Sequence, residues 1–321
     1  MSHEPGPKAG CPGRHAWKQL SRRQFVSSIV VGAAAGCASR AGMMPLDGAA
    51  GGTDTAPGAE PMPDTGAVKK TAADRVILGA TGITVSRLAM GSGTHGSGGS
   101  SDQTRLGVAG FAAVLTHGYD QGLRFFETAD QYGAHPHVAE AIRQVGRQNV
   151  VVLTKTTAQS ATAAQSDLDR FRRELGIDMI DIVLLHNKQS RTWTTECAGA
   201  MDTLSRAKEA GVIRAHGVSC HTLAALQLAA ETPWVDVDLA RINPDGILMD
   251  SDPATVINLL KQMKASGKGV IGMKILGEGQ LGNQVDRAIA HAVQLDSIDA
   301  FTIGFTSNAQ LDQVMQKIAA A

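Results

Sequence analysis

From about residue 75 onward the chain predicts a closed (β/α)8 TIM barrel with an N-terminal β-hairpin. Three observations predict it. Apolar strand-like runs alternate with helical stretches eight times, and such alternation specifies a parallel sheet. The 321-residue chain leaves about 250 residues after a non-globular leader, the usual size of an eight-stranded α/β barrel. Three strands end in chemistry-bearing side chains, where a parallel α/β protein places its site. An open doubly wound sheet is the competing architecture, but no GxGxxG opens a helix after the first strand.

Taken in order, residues 76–79 and 83–85 flank a Gly-containing turn and read as the hairpin. Residues 87–90 form the first barrel strand, and a Gly/Ser-rich loop, 91–101, follows. A helix over 105–121 leads to the strand ending at Glu127; a helix over 138–145, with Pro136 near its start, leads to the strand ending at Lys155. A helix over 166–175 precedes the strand 181–185, which runs into His186. Helices over 197–210, 223–230, 254–265 and 285–292 alternate with strands over 215–218, 235–239, 269–273 and 301–304. A last helix covers 309–319.

Composition narrows the function. Thirty acidic and thirty basic residues leave no net charge, so neither nucleic acid nor an anionic membrane is an expected partner. Cys11, Cys37, Cys197 and Cys220 form no CxxC pair, which excludes a zinc ribbon or thioredoxin-like motif. Cys197 and Cys220 are the pair a barrel could bring to one face. His95, His135, His137, Cys220 and His221 offer soft and imidazole ligands, but their spacing fits no metal motif, and no metal is expected.

The leader reads as an address. Ser21-Arg22-Arg23-Gln24-Phe25-Val26 is a twin-arginine export motif, and the apolar run 26–35 behind it is a signal segment too short to span a membrane. Ala34-Ala35-Gly36-Cys37 resembles a lipoprotein cleavage box, with ordinary cleavage nearby as the alternative. Residues 1–37 are thus expected to be the signal. Residues 38–70, rich in Gly, Ala, Pro and Asp, form a flexible linker, and 71–321 the barrel. The expectation is an exported protein, periplasmic or anchored at the envelope through lipid on Cys37, with the twin-arginine machinery as a partner.

Glu127, Tyr132, Lys155 and His186 bring a carboxylate, a phenol, an ammonium and an imidazole to three strand ends. In that setting the chain resembles the aldo-keto reductase family. "VILGATGITVSRLAMGSG" is similar to its opening hairpin and first strand, "FFETADQYG" to its tyrosine motif and "LTK" to its lysine strand. "LDRFRRELGIDMIDIVLLH" resembles the segment ending in its histidine, "GVIRAHGVS" its fifth strand, and "IGFTSNAQL" its eighth strand and nucleotide loop. The likeness runs in order from about residue 75 to the end of the chain.

The resemblance implies an NAD(P)-dependent oxidoreductase that interconverts carbonyls and alcohols. Tyr132 would be the general acid/base, Lys155 and Glu127 would tune it, and His186 would orient a small-molecule carbonyl substrate. A free phenol has a pKa near 10. An ammonium ~4 Å away, at an effective dielectric of ~20, favours phenolate by about 4 kcal/mol, so the phenol is expected to titrate lower. Glu127 stands where the family normally has aspartate, and the longer side chain is expected to pair with Lys155 still.

Cofactor contacts are implied at Ser92, Gly93, Ser219, Cys220, Met273, Lys274, Gly277, Gly304, Thr306, Ser307 and Gln310. Several have drifted. Cys220 stands for an asparagine of a Ser-Asn pair, Met273 for an aromatic that stacks on nicotinamide, and Val314 for an asparagine near adenine. Gly279, with Gly277, would let the backbone approach a pyrophosphate, and Arg241 and Asn243 are polar candidates in the mouth. The loop 305–310 has no Arg or Lys, so NADP is expected from family habit and NAD is the alternative. The opposing reading is an exported, non-catalytic binding protein on a reductase barrel.

Overall fold

The computed structural model describes residues 69–321; the expected export signal, Cys37 and nearly all of the linker lie outside them. β1 (Arg75–Ile77) and β2 (Thr84–Ser86) pair antiparallel, with Val76 opposite Val85. Eight strands then close a parallel barrel: β3 (Leu88–Gly91), β4 (Phe125–Glu127), β5 (Val151–Thr156), β6 (Ile180–Lys188), β7 (Ile213–Cys220), β8 (Val237–Arg241), β9 (Gly269–Met273) and β10 (Ala300–Gly304). Closure is made by β10 against β3, with Phe301 beside Leu88.

Side-chain alternation along the strands creates two cores. Inward residues such as Ala89, Phe125, Leu153, Leu184, Ala215, Leu239 and Ile271 fill the barrel, and Leu78, Ile83 and Val85 of the hairpin segment join them, as a plug over the lower end. Outward residues such as Phe126, Val183, Leu185 and Val218 pack with the helices. Each fully buried aliphatic contributes about 1.5–3 kcal/mol, so the barrel wall is a rigid base for groups at its upper rim.

The eight barrel helices are α1 (Gly107–Asp120), α2 (His135–Val145), α3 (Ala161–Leu175), α4 (Ala198–Glu209), α5 (Leu223–Glu231), α6 (Pro253–Ala265), α7 (Val285–Gln294) and α8 (Asn308–Ala320), with a single helical turn, Trp193–Glu196, ahead of α4. Several boundaries differ from the sequence expectation. α3 starts at Ala161 because the Ser160 side chain accepts from the Ala163 N–H at 3.2 Å and caps it. β6 runs on to Lys188, so His186 lies within the strand. β8 is displaced towards its carboxyl end, since a turn in which Val235 N bonds Thr232 O at 3.2 Å occupies the start of the expected strand.

Cys197 and Cys220 are buried free thiols. Cys197 accepts a 3.5 Å contact from Lys188 Nζ, and Cys220 lies beside Asp238. Trp193 is fully buried and donates to the Ala225 carbonyl.

Candidate active site

The strand ends carry the predicted groups to one rim. Glu127 closes β4, Lys155 lies near the end of β5, and His186 near the end of β6. Lys155 Nζ ion-pairs with Glu127 Oε1 and donates to the Thr128 carbonyl at 2.7 Å. Glu127 Oε2 accepts from Thr302 Oγ1 at 3.2 Å. The extra methylene of the glutamate fits because residue 91 is glycine: a Cβ there would lie 2.8 Å from Thr302 Oγ1 and 3.0 Å from Glu127 Oε2. Thr302 and Gly91 are thus parts of the site that the motif comparison missed, although an inward threonine in an apolar strand is a readable signal.

Tyr132 ends a short turn, Asp130–Tyr132, that Gly133 closes in the left-handed region. Its ring lies against Gly93 and Gly96, where any Cβ would collide with it. Lys155 Nζ is 4.8 Å from the ring centroid, and His186 meets the ring edge-on at 5.7 Å. Tyr132 is partly exposed along its flank while its phenol end is buried.

Ionisation at this cluster corrects one expectation. Burial pushes the Tyr132 phenol up; Lys155 pulls it down and Glu127 pushes it up again, so it titrates above, not below, its ordinary 10. Burial also works against the Lys155 ammonium, but Glu127 and Tyr132 outweigh it and raise its pKa. His186 is driven down to about 2, chiefly by burial and then by Lys155, His221, Lys188 and Lys274. The resting site therefore holds a protonated phenol, a charged lysine and a neutral imidazole.

The groups implied for a cofactor divide. Ser92 Oγ and His186 Nδ1 are buried without a hydrogen-bond partner, so the mouth has polar capacity for a ligand. Ser219 Oγ faces the rim and accepts from Asn187 N at 3.0 Å, with its own proton still to give. Met273 closes β9 in the inner core. Lys274, Gly277, Glu278 and Gly279 all have positive φ, which shapes a tight turn after β9; Lys274 ion-pairs with Glu278. Ser307 caps α8, and Gln310 Oε1 accepts from both the N–H (2.9 Å) and the hydroxyl (3.0 Å) of Thr306. Gly304 packs against Thr94 and Gln103.

Three candidates fall away from the mouth. Cys220 packs in the layer between barrel and helices, because alternation along β7 turns it outward. Val314 is a core residue of α8. Asn243 is fully buried and ties its own loop, donating to the carbonyls of Ile247 and Lys274 and accepting from Asp245 N and Ile247 N. The Gly-lined turn after β9, the capped start of α8 and the partnerless Ser92 Oγ are the groups that would hold a phosphate-bearing nicotinamide nucleotide, with Ser219 the polar group at the carboxamide end.

Among the described residues, Asp130, His135 and Glu174 gather their ligand atoms within 4.8 Å of one another. Arg170 already ion-pairs with Asp130 (2.7 Å) and Glu174 (3.1 Å), and His135 bonds Glu174 and Thr154. The cation of this cluster is the guanidinium. His95 pairs instead with Asp102.

The closed parallel barrel thus gathers a phenol, an ammonium and a carboxylate at one rim. The profile of the Aldo/keto reductase family matches residues 87–321, and the chain belongs to that family. It is 24% identical over 202 residues to D-threo-aldose 1-dehydrogenase of a Pseudomonas species, covering 53% of this chain and 60% of that protein. It is 25% identical over 185 residues to a Schizosaccharomyces pombe aldo-keto reductase named for NADP(+), covering 53% of each. The chain thus spans little more than half the length of these curated relatives. A candidate aldo-keto reductase from Pseudomonas aeruginosa superposes with a TM-score of 0.66 at 22% identity, over 78% of this chain and 97% of that one. An aldo-keto reductase from Bacillus halodurans in its holo form does so with 0.63 at 17%, over 77% and 91%.

Proposed function

We propose that the protein is an NADP-dependent carbonyl oxidoreductase in which Tyr132 exchanges the proton. The observation that carries this is the buried Lys155 ammonium, ion-paired to Glu127 and 4.8 Å from the Tyr132 ring. A bound nicotinamide supplies the hydride that reduces the carbonyl, or accepts it in the reverse direction. Tyr132 rests protonated, ready to donate to the carbonyl oxygen. Once the proton leaves, the phenolate faces an ammonium that Glu127 keeps charged, so the attraction is stronger after transfer than before it. His186, neutral, offers its ring as a hydrogen-bond partner to orient the carbonyl. The family membership and the NADP(+) in the name of the fission-yeast relative support this reading.

The test is NADPH oxidation by the purified chain with short aldehydes, followed at saturating cofactor and repeated with NADH. Turnover with NADPH supports the assignment. Absence of both turnover and NADPH fluorescence quenching supports the binding-protein reading.

The twin-arginine motif supports a location outside the cytoplasm. That route carries folded proteins, so the barrel would leave with its nucleotide already bound and recycle it in place with a second substrate. Replacing Arg22 and Arg23 by Lys should retain the protein in the cytoplasm; export of that variant would sink this part of the proposal. Lipid labelling of the wild-type chain that is lost in Cys37→Ala would identify the anchor; labelling retained in that variant would exclude it.

A further inference from the structure

The rim holds a second polar group to which the reaction above assigns no part. Leu239 of β8 is an inward core residue level with Ser219 of β7. His221 lies two positions beyond Ser219, and Arg241 two beyond Leu239, so they stand on neighbouring strand ends one layer above the core. The His221 ring lies 6.4 Å from the His186 ring, itself 5.7 Å from Tyr132. Tyr132, His186 and His221 form a row across the mouth.

This row has unused hydrogen-bonding capacity. Nδ1 of both histidines is buried with no partner. Arg241 donates through Nε (3.1 Å) and Nη2 to one oxygen of the wholly buried Asp250, and its remaining guanidinium hydrogens are free of side-chain acceptors. The charges that bear on the rings are cationic: Lys155, Lys188 and Lys274 on His186, and Arg241, Lys274 and Lys155 on His221. With burial as the larger cause, they hold the two imidazoles neutral, at about 2 and about 3. The carboxylates nearby, Glu127 and Asp250, are already committed to Lys155 and Arg241. An uncharged ligand gains little from such a field, whereas an anion gains both the field and charge-assisted hydrogen bonds.

We propose that His221 and Arg241 form an anion-accepting subsite beside His186, so that the preferred substrate is a short aldehyde or ketone carrying a carboxylate near its carbonyl. This rests on the reductase reading and narrows it to oxo acids. The guanidinium fork matches a carboxylate, His221 adds a neutral ring donor, and the carbonyl is left to Tyr132 and His186.

Two readouts on the full chain test it. At saturating NADPH, so that the cofactor's own phosphates are already placed, kcat/KM is measured for glyoxylate and succinate semialdehyde, each against the uncharged n-alkanal of matching length. The acids should be favoured by about ten- to hundredfold, the worth of one charge-assisted pair. In the double variant Arg241→Met, Asp250→Asn, which leaves no lone buried charge, that preference should collapse through KM; His221→Gln should lower it to about a third to a tenth of its value. Calorimetric titration of succinate into wild type and double variant is the second readout. Alkanals turned over as well as the acids would overturn the subsite while leaving the reductase intact. If no carbonyl is reduced, succinate binding that the double variant loses upholds the subsite and removes the reductase reading. Succinate binding equally to both proteins, or to neither, overturns the subsite.

Discussion

On the arc of the mouth from β4 to β6, each charged group has a partner set by the backbone: Glu127 is held by Lys155 and Thr302, and Lys155 by Glu127 and the Thr128 carbonyl. On the arc from β7 to β9 the groups are looser in kind. Cys220 has turned into the helix layer, Met273 presents an apolar end, and Lys274 sits on a left-handed residue with Glu278 as its ion-pair partner. The first arc fixes its groups against one another, and in a reacting constellation a displacement of about 1 Å can cost about a hundredfold in rate. The second meets whatever ligand is bound, and a changed contact shifts affinity by a few kcal/mol at most. Geometry is tied down by side-chain and main-chain partners on one side and is looser on the other.

The comparison breaks most readily at Tyr132. Tyr132→Phe should lower kcat by about 10²–10⁴-fold, the usual share of a positioned acid, with NADPH binding and thermal unfolding little changed; retained turnover would move the proton donor elsewhere. Next in size is Glu127→Gln. It strands the Lys155 ammonium in a buried site, which costs about 3–5 kcal/mol in urea unfolding, and turnover should fall with it. Glu127→Asp, which keeps the charge, should recover most of the stability.

A smaller effect follows from the two neutral histidines. Their folded pKa values lie near 2 and 3, below the ordinary 6.5, so the unfolded chain binds more protons as pH falls. Their contribution to stability is complete above pH 6.5 and is lost as pH drops from there toward about 3 for His221 and about 2 for His186. His186→Gln should flatten the acid side of the Tm profile; an unchanged slope would mean the ring is solvated. Smallest is Ser219→Ala, which removes one hydrogen bond to Asn187 N and should weaken NADPH binding by about fivefold without touching the proton step.

The barrel and the first arc were legible because each strand is a buried apolar run that stops at a charged or polar residue, as at Glu127, Lys155 and His186. The second arc was not. Whether Cys220 faces the mouth depends on the face it inherits along β7, and a motif alignment carries no face. The accommodation of Glu127 rests on Thr302, 175 residues away, and on an absent side chain at Gly91. The direction of the Tyr132 shift turns on burial, which a charge count along the chain does not contain.

The contact of Tyr132 with Gly93 and Gly96 has a dynamic consequence. A ring walled by main chain cannot turn over about its Cβ–Cγ bond unless the wall withdraws, so each flip reports an excursion of the loop between β3 and α1. The two halves of the ring should then exchange slowly in NMR spectra, at the rate with which the loop uncovers the phenol. A methyl group at position 93 or 96 would push the ring out of place, and the loop would lose its timekeeper.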